Sequence, residues 1–308
     1  MNLIETDHLS RRYWRTEAVH DLSFSVPEGS VCALLGANGA GKTTTLKLLM
    51  NLLTPSAGTA RVLGVDARHL SEREFRQIGY VSENQSQPLW MTVRQLLDFC
   101  RPFYPTWDRE LEAKLQRDFD LPLDRKLSQL SRGMLMKAVL LSSLAYRPKL
   151  LVLDEPFSGL DPLARHEFIG GLIEAARLGE WTVLVSSHDI DDVERLVDRT
   201  VVIDAGRLVL EESTEALLRR FRRIELEVGE FPTSALSAEL LLPASWWEYE
   251  QEGARAKFIE SAYEPAVTEA ACLVRFPSAR VTAHAMTLRE IFICLARQGR
   301  RAAKGVAA

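Results

Sequence analysis

Short apolar runs rich in β-branched residues alternate with helix-like segments from the N-terminus to about residue 220. The strand-like runs lie at residues 30–35, 78–81, 150–153, 182–185 and 201–203. Because they are apolar at consecutive positions, they predict strands buried on both faces, as in a largely parallel sheet covered by helices. The predicted fold class of residues 1–220 is therefore α/β.

The pattern changes near residue 221, where alternating positions replace the continuous apolar runs. Residues 221–308 predict a small α+β domain beside the domain at residues 1–220, and its size lies within the usual range. Its predicted strands and helices are, in order, strand 222–228, strand 255–259, helix 265–274, strand 280–284 and helix 288–297.

Composition and charge exclude some classes of protein. A chain of 308 residues with 46% hydrophobic composition can bury two cores, and a net charge of −4 gives no electrostatic reason to expect nucleic acid. The four cysteines are too scattered for a zinc site and predict small buried side chains in a reducing compartment. No apolar run approaches the roughly 20 residues of a membrane helix. We therefore expect a soluble, cytoplasmic protein.

A glycine-rich segment, GANGAGKTT, follows the first strand and precedes a helix predicted at residues 42–52. It matches the phosphate-binding loop, in which glycines let N–H groups converge on anionic oxygens at a helix N-terminus. The lysine is expected to reach the terminal phosphates and the first threonine to ligate Mg²⁺. A chance glycine-rich turn would not have both flanking elements. The candidate residues are Gly36, Asn38, Gly39, Ala40, Gly41, Lys42, Thr43 and Thr44.

Two acids follow the apolar strand at residues 150–153. Asp154 is suited to hold Mg²⁺, and Glu155, which points elsewhere, is suited to orient an attacking water as general base. Alone, the Asp-Glu-Pro sequence would be explained as well by a strand that ends in a polar turn. Beside the phosphate loop, it predicts a nucleoside triphosphatase.

Further motifs carry a resemblance to one family. LSRGM at residues 130–134, SGLD at 158–161 and SHD at 187–189 follow one another at the spacing of the signature, D-loop and switch-histidine motifs of ABC ATPases. Tyr13 lies where that family stacks an aromatic ring on adenine. Over residues 1–220 the chain resembles a P-loop ABC ATPase with a helical insertion. The other residues, 221–308, would then form an accessory domain.

The resemblance implies roles for several residues. Ser131 and Gly133 would contact the γ-phosphate bound by an opposite subunit, so two copies or close homologues would sandwich two ATP molecules head to tail. His188 would contact the γ-phosphate of its own subunit, with a capping or core histidine as the alternative. Asp161 would bridge the subunits, or serve as a turn aspartate before Pro162.

Two motifs depart from the family pattern. Glu83 stands where the family has glutamine, and a carboxylate there would still ligate Mg²⁺ while adding charge beside the phosphates. Gln85 could take this role after a small loop shift. Arg132 and Met134 replace the usual glycine and glutamine of the signature. Because the lysine, metal ligand and base remain, we predict an altered but working site.

These observations predict an ATP-binding and ATP-hydrolysing subunit of an ABC transporter, peripheral on the inner face of the cell membrane. It would touch the membrane only through a separately encoded permease, and residues 90–108 lie in the helical insertion that family members use for that contact. The amino-acid sequence of this stretch resembles that of a bacterial branch of exporter ATPases. The alternatives are a non-transport ABC ATPase, disfavoured by the single ATPase unit, and an ATP-gated regulatory module, disfavoured by the intact catalytic residues. Cargo and direction of transport stay open, as does the choice between homodimer and heterodimer.

Overall fold

The computed structural model describes residues 1–83, 85–178, 181–191, 193–194, 196–228 and 242–305, without the side chains of 174–178 and 299–305. The chain divides into two compact units, Met1–Glu211 and Glu212–Ala308. The domain boundary at residue 220 stays a prediction, because spatial compactness does not measure independent folding.

Strands and helices alternate along the first unit. Its strands are Asn2–Tyr13 (β1), Thr16–Leu22 (β2), Ser25–Pro27 (β3), Val31–Leu35 (β4), Ala57–Val62 (β5), Val65–Asp66 (β6), Ile78–Ser82 (β7), Leu150–Asp154 (β8), Thr182–Ser187 (β9), Arg199–Asp204 (β10) and Arg207–Ser213 (β11). Its helices are Lys42–Leu49 (α1), Glu72–Phe75 (α2), Val93–Cys100 (α3), Arg109–Asp118 (α4), Arg132–Leu144 (α5) and Pro162–Leu178 (α6).

The site is built on a six-stranded sheet with the order β11-β10-β4-β9-β8-β7. Its neighbours from β10 to β7 pair in parallel, which confirms the sheet predicted from the continuous apolar runs. Every residue of β8 is buried, as expected of a strand covered on both faces. Parallel strands end at one edge of the sheet, so β4, β7, β8 and β9 deliver their last residues to the same place.

A second sheet, with the order β2-β1-β5-β6 and with β3 paired to β1, was not predicted from the sequence. Its long strand β1 contains register irregularities, and His8 within it has a φ of 48°. Such irregularities interrupt the alternation of buried and exposed residues, which is the sequence signal of an antiparallel strand.

Helices α3 and α4 form the predicted helical insertion ahead of α5. The ring of Tyr104, which lies between them, stacks on that of Tyr146 with centroids 3.7 Å apart. Side-chain caps begin both helices: Thr92 accepts from the N–H of Gln95 in a capping box, and Asp108 caps α4. The insertion is therefore fixed by local capping and by aromatic packing.

The second unit contains Thr214–Arg220 (α7), Arg222–Glu227 (β12), Trp246–Glu252 (β13), Arg255–Glu260 (β14), Pro265–Arg275 (α8), Arg280–Ala285 (β15) and Leu288–Gly305 (α9). The strands form one antiparallel sheet with the order β13-β14-β12-β15, which agrees with the predicted α+β class. Strand β13 was missed by the sequence analysis. It begins at Trp246, whose ring stacks on Phe258 with centroids 3.9 Å apart, so this tryptophan belongs to the core.

Burial separates the cysteines into two groups. Cys32, Cys272 and Cys294 are buried, and burial raises the pKa of the Cys32 thiol to about 12 and those of the other two to about 11. Burial raises the pKa of the Cys100 thiol as well, but Cys100 is partly exposed and so the one within reach of a reagent. Because the thiolate is the nucleophile, iodoacetamide at pH 8 should alkylate Cys100 well before the others. Peptide mapping after timed labelling measures this order, with urea-unfolded protein as the control in which all four react. Early labelling of Cys32 in the native protein would contradict the buried placement.

Candidate functional site

The loop at residues 36–44 connects β4 to α1. Gly39 and Gly41 have φ angles of 83° and 105°, a region that favours glycine. A Cβ atom on Gly41 would lie 2.4 Å from the carbonyl oxygen of Ala18, so a larger residue does not fit. Gly41 is also the N-cap of α1 and brings no capping side chain, so no N-cap side chain satisfies the first-turn N–H groups.

The side chain of Lys42 reaches back to the first residues of this loop. Its side chain is 4% exposed, and its Nζ donates to the carbonyl oxygens of Gly36 at 2.7 Å and Ala37 at 3.3 Å. The same atom lies 2.9 Å from Oε1 of Glu155. Two of these contacts are hydrogen bonds to the loop, and the third is an ion pair. A buried cation is thereby held at the centre of the curled loop.

Asp154 is a buried carboxylate surrounded by hydroxyl groups, with 2% of its surface exposed. Thr43 and Ser186 each donate to its Oδ1 at 3.0 Å, and Ser82 donates to its Oδ2 at 3.3 Å. The register explains the two serines, because Ser82 of β7 and Ser186 of β9 are the direct partners of Asp154 on either side. Sequence analysis missed both, since it ended these strands at the last apolar residue.

Glu155 follows β8 and turns away from the hydroxyl cluster. Its φ of 51° is unusual for a residue with a side chain, and its N–H donates to the hydroxyl oxygen of Ser186 at 3.0 Å. Its carboxylate lies between two groups, Nζ of Lys42 at 2.9 Å and Nδ1 of His188 at 2.8 Å. The half-exposed His188 is thus brought to the strand edge beside Glu155, as the motif order suggested.

The oxygen atoms at this edge suit a hard divalent cation. Thr43 and Asp154 present a hydroxyl and a carboxylate 3.0 Å apart, the donor types that Mg²⁺ prefers. Among the described residues, no group of three or more His, Cys, Asp or Glu side chains could hold a metal by itself. A cation here would complete its coordination with phosphate and water oxygens, which is the usual way in which proteins hold Mg²⁺.

The Glu83 carboxylate forms an ion pair with the guanidinium group of Arg132. The backbone N–H of Glu83 donates to the carbonyl oxygen of Asp154 at 3.1 Å, so the residue borders the hydroxyl cluster. Gln85 and Glu83 line a surface cleft of about 370 Å³ together with Arg132. The two departures from the family pattern therefore meet in space, which the sequence analysis did not foresee.

Ser131 is the N-cap of α5, with its hydroxyl oxygen accepting the N–H of Met134 at 3.2 Å, and it is exposed to solvent. Gly133 lies in the first turn of α5 and is buried. A Cβ atom built on it would come within 2.6 Å of the Cβ atom of Ala164. Close packing of α5 on α6 is thus one reason for this glycine.

Asp161 and Tyr13 lie in other parts of the first unit. The carboxylate of Asp161 accepts the N–H of Ala164 at 2.9 Å, so it caps the start of α6 as a turn aspartate would. Tyr13 ends β1 with 39% of its surface exposed, and the Arg11 guanidinium lies 4.7 Å from its ring centroid. The exposed ring remains available for stacking.

A glycine loop before a helix, beside a parallel strand that ends in acids, defines the class of P-loop nucleoside triphosphatases. Residues 19–158 match the family model described as ABC transporter. The Nod factor export ATP-binding protein I of Burkholderia orbicola (strain AU 1054) is 37% identical over 237 residues, which cover 73% of this chain and 74% of that protein. The daunorubicin/doxorubicin resistance ATP-binding protein DrrA of Streptomyces peucetius is 37% identical over 219 residues, 70% of this chain and 66% of the relative.

Solved structures agree with these relatives. The structure of an ATP-binding subunit of an ABC transporter aligns with a TM-score of 0.63 and 31% identity over 70% of this chain and 92% of the other. The chain therefore belongs to the ABC transporter family, as an ATP-binding subunit. It is an ATPase that binds ATP, and such subunits dimerise and drive a separate permease. Within the described part of the chain, no helix has both the length and the apolarity needed to cross a bilayer.

The serines that surround Asp154 provide a test of the site geometry. Ser186→Ala removes a donor to Asp154 and the acceptor of the Glu155 N–H. Leaving buried polar groups unpaired costs about 1–3 kcal/mol, so the free energy of unfolding should fall by that amount. Urea titration measures the loss. Ser142→Ala is the control, since its hydroxyl donates to a helix carbonyl at 2.8 Å outside the cluster. Equal losses in the two variants would show that a hydroxyl group beside Asp154 contributes no more to the free energy of unfolding than the helix hydroxyl of Ser142.

Proposed function

We propose that this subunit hydrolyses ATP with Glu155 as general base and His188 as the group that contacts the γ-phosphate. The observation that carries the proposal is the row formed by Lys42, Glu155 and His188, with Glu155 contacted from both sides. A base must be held within hydrogen-bond reach of a water beside the phosphate, and this row holds it at the strand edge. His188 is 43% exposed on its side chain, so it can approach a ligand that enters from solvent.

Mg²⁺ is proposed to bind between the phosphates and the end of β8. Thr43 and Asp154 would hold it, with Glu83 as a further ligand beside them. When bound, the ion would neutralise negative charge on the β- and γ-phosphate oxygens. The chain's own part is to orient the Asp154 carboxylate, and the hydroxyl groups of Thr43 and Ser186 support this at 3.0 Å.

The phosphates are proposed to lie in the loop formed by residues 36–44. The loop N–H groups and the α1 N-terminus would bind oxygen atoms, and Lys42 would contact the β- and γ-phosphates. Tyr13 would stack on adenine through its exposed ring. Residues 36–41 of the candidate loop connect β4 to α1 and residues 42–44 begin α1, so the whole loop is one continuous segment of the chain.

We infer that the second face of the site comes from another subunit. Ser131 is exposed at the N-terminus of α5, a helix of 13 residues, where an anion would be stabilised by the helix dipole. Asp161 ends the SGLD motif, which resembles the D-loop of the family, and would contact the partner as well. The subunit pair, a homodimer or a pair of close homologues, would enclose two ATP molecules.

The permease is proposed to bind the helical insertion. Large apolar side chains are exposed there, with Trp90 68% and Phe99 and Phe103 each 56% exposed. Exposed aromatic clusters of this kind mark interaction surfaces. The protein would therefore lie on the inner face of the membrane and contact it only through the permease. The relatives named for Nod factor export favour an exporter, and the cargo is not specified by any of these residues.

Glu155→Gln should separate binding from hydrolysis. The amide keeps the shape of the side chain but cannot accept a proton, so kcat should fall about 10²–10⁴-fold, the range for loss of a general base. ATP affinity should stay near the wild-type value, and an ATP-bound dimer should persist on size-exclusion chromatography.

Glu110→Gln is the matched control for this substitution, because Glu110 is exposed in the first turn of α4, within the insertion. It should leave kcat unchanged in the isolated subunit. Near-normal turnover by Glu155→Gln would remove Glu155 from the proposed role, whereas loss of ATP binding would point to a structural part for it.

The permease surface can be tested with Trp90→Ser and Phe103→Ser. The isolated subunit should keep its ATPase rate, because both side chains lie largely in solvent. Co-purification with the co-expressed permease should fall at least about tenfold for loss of aromatic anchors at an interface. Leu52→Ser, at a side chain 61% exposed outside the insertion, is the control and should co-purify normally. Equal recovery of all three variants would exclude this surface.

A further inference from the structure

The two departures from the family pattern form a single unit. Arg132 is the first residue of α5, and its guanidinium group pairs with the Glu83 carboxylate. The side chains are 47% and 27% exposed, and ion pairs at such exposure contribute little to folding stability. Stability is therefore a weak reason for two unusual residues to meet at this place.

A third residue fixes the arginine. Gly159 has a φ of 67°, and a Cβ atom built on it would lie 2.6 Å from Cζ and Nη1 of Arg132. The guanidinium group thus lies directly over the backbone of Gly159 and has the Glu83 carboxylate as its partner. We call Glu83, Arg132 and Gly159 the arginine clamp.

The clamp continues to the proposed metal site. The N–H of Glu83 donates to the carbonyl oxygen of Asp154 at 3.1 Å, and the neighbouring Ser82 donates to the Asp154 carboxylate at 3.3 Å. At its other end, Arg132 is adjacent to Ser131, the exposed cap of α5. A continuous series of contacts therefore runs from Asp154, at the proposed metal site, through Glu83 and Arg132. The chain itself then joins Arg132 to Ser131, on the surface proposed to contact a second subunit.

We propose that Arg132 is a positioning residue that holds Glu83 and transmits the state of the subunit's own nucleotide site to the α5 surface that contacts the partner. The inference rests on the proposed function, in which Asp154 serves one ATP molecule and Ser131 the other. A charge that approaches Glu83, such as a divalent cation, competes with Arg132 for the carboxylate. When Glu83 releases the guanidinium group, the α5 N-terminus changes position; when Glu83 retains it, the α5 N-terminus stays in place.

A double-mutant cycle tests the clamp. Glu83→Gln, Arg132→Gln and the double variant are prepared in the Glu155→Gln background, where an ATP-bound dimer is expected to accumulate. MgATP affinity is measured by calorimetry, and dimerisation by analytical ultracentrifugation across protein concentrations. Each single variant should raise the dimer dissociation constant about tenfold, and the double variant should add nothing further. Arg132→Gln, which removes no proposed Mg²⁺ ligand, should keep MgATP affinity within about twofold.

Two outcomes would overturn the inference. If the double variant shows the product of the single effects, about a hundredfold, the residues act independently. If Arg132→Gln lowers MgATP affinity in step with dimerisation, the pair acts on nucleotide binding rather than on transmission. Arg94→Gln is the control, because it breaks an exposed pair with Asp124 at 3.0 Å away from the clamp. It should leave both constants unchanged.

A substitution that moves the arginine without replacing it gives a second test. Gly159→Ala would displace the guanidinium group, whereas Gly29→Ala, at a φ of 75° with nothing within 4 Å of the new Cβ, adds backbone strain alone. Both should lower the Tm similarly, but only Gly159→Ala should weaken dimerisation. Its effect should not increase further when combined with Arg132→Gln. Multiplying effects would mean that Gly159 acts on the partner directly.

Failure of the proposed function gives a different result. If the Glu155→Gln protein with an intact clamp binds no MgATP or stays monomeric with it, the two-subunit ATP site is wrong, and the inference falls with it. If that protein binds MgATP and dimerises while the clamp variants match it, the proposed function stands and the clamp alone is rejected.

Discussion

A buried carboxylate at the end of a strand requires hydrogen-bond donors, and the parallel sheet supplies them to Asp154. Ser82 and Ser186 are its direct partners in the neighbouring strands, and Thr43 reaches it from the start of α1. This one cluster fixes the position of the phosphate loop relative to the end of β8. Glu155 is the next residue in the chain. Because hydrogen bonds hold Asp154 in place, the Glu155 carboxylate is positioned to contact Lys42 and His188. The proposed catalytic geometry depends on the satisfaction of a single acidic group.

Local sequence patterns predicted the part of this arrangement that is built from continuous segments. The apolar runs gave β4 and β8 within about one residue, and the glycine pattern placed the loop before α1, because these signals depend on neighbours in the chain. The antiparallel sheet around β1 was missed because its irregular register hides the alternation of side chains. Strand β13 was missed as well. Its first residue, Trp246, stacks on Phe258, which belongs to a strand that lies further along the chain, so neighbouring residues do not reveal the contact.

Contacts between distant segments could not be predicted in the same way. Glu83 and Arg132 each attracted notice as a departure from a family pattern, but 49 residues separate them and no periodicity relates them. Ser82 and Ser186 are ordinary residues in sequence, and only the register of three strands makes them partners of one carboxylate. Asp161 shows the opposite case, since its capping of α6 follows from the sequence Asp-Pro and exists whether or not it also contacts a partner.

The hydrogen bonds of Lys42 have a consequence for ligand selection. Its ammonium group already donates to two carbonyl oxygens of the loop and forms an ion pair with Glu155. A ligand that binds there exchanges one set of acceptors for another, so only the difference between the two sets contributes to affinity. Neutral oxygens such as those of a sugar or an alcohol would gain almost nothing by the exchange. A polyanion gains charge–charge attraction in a poorly hydrated place, so the loop discriminates by charge density before any other part of the ligand is recognised.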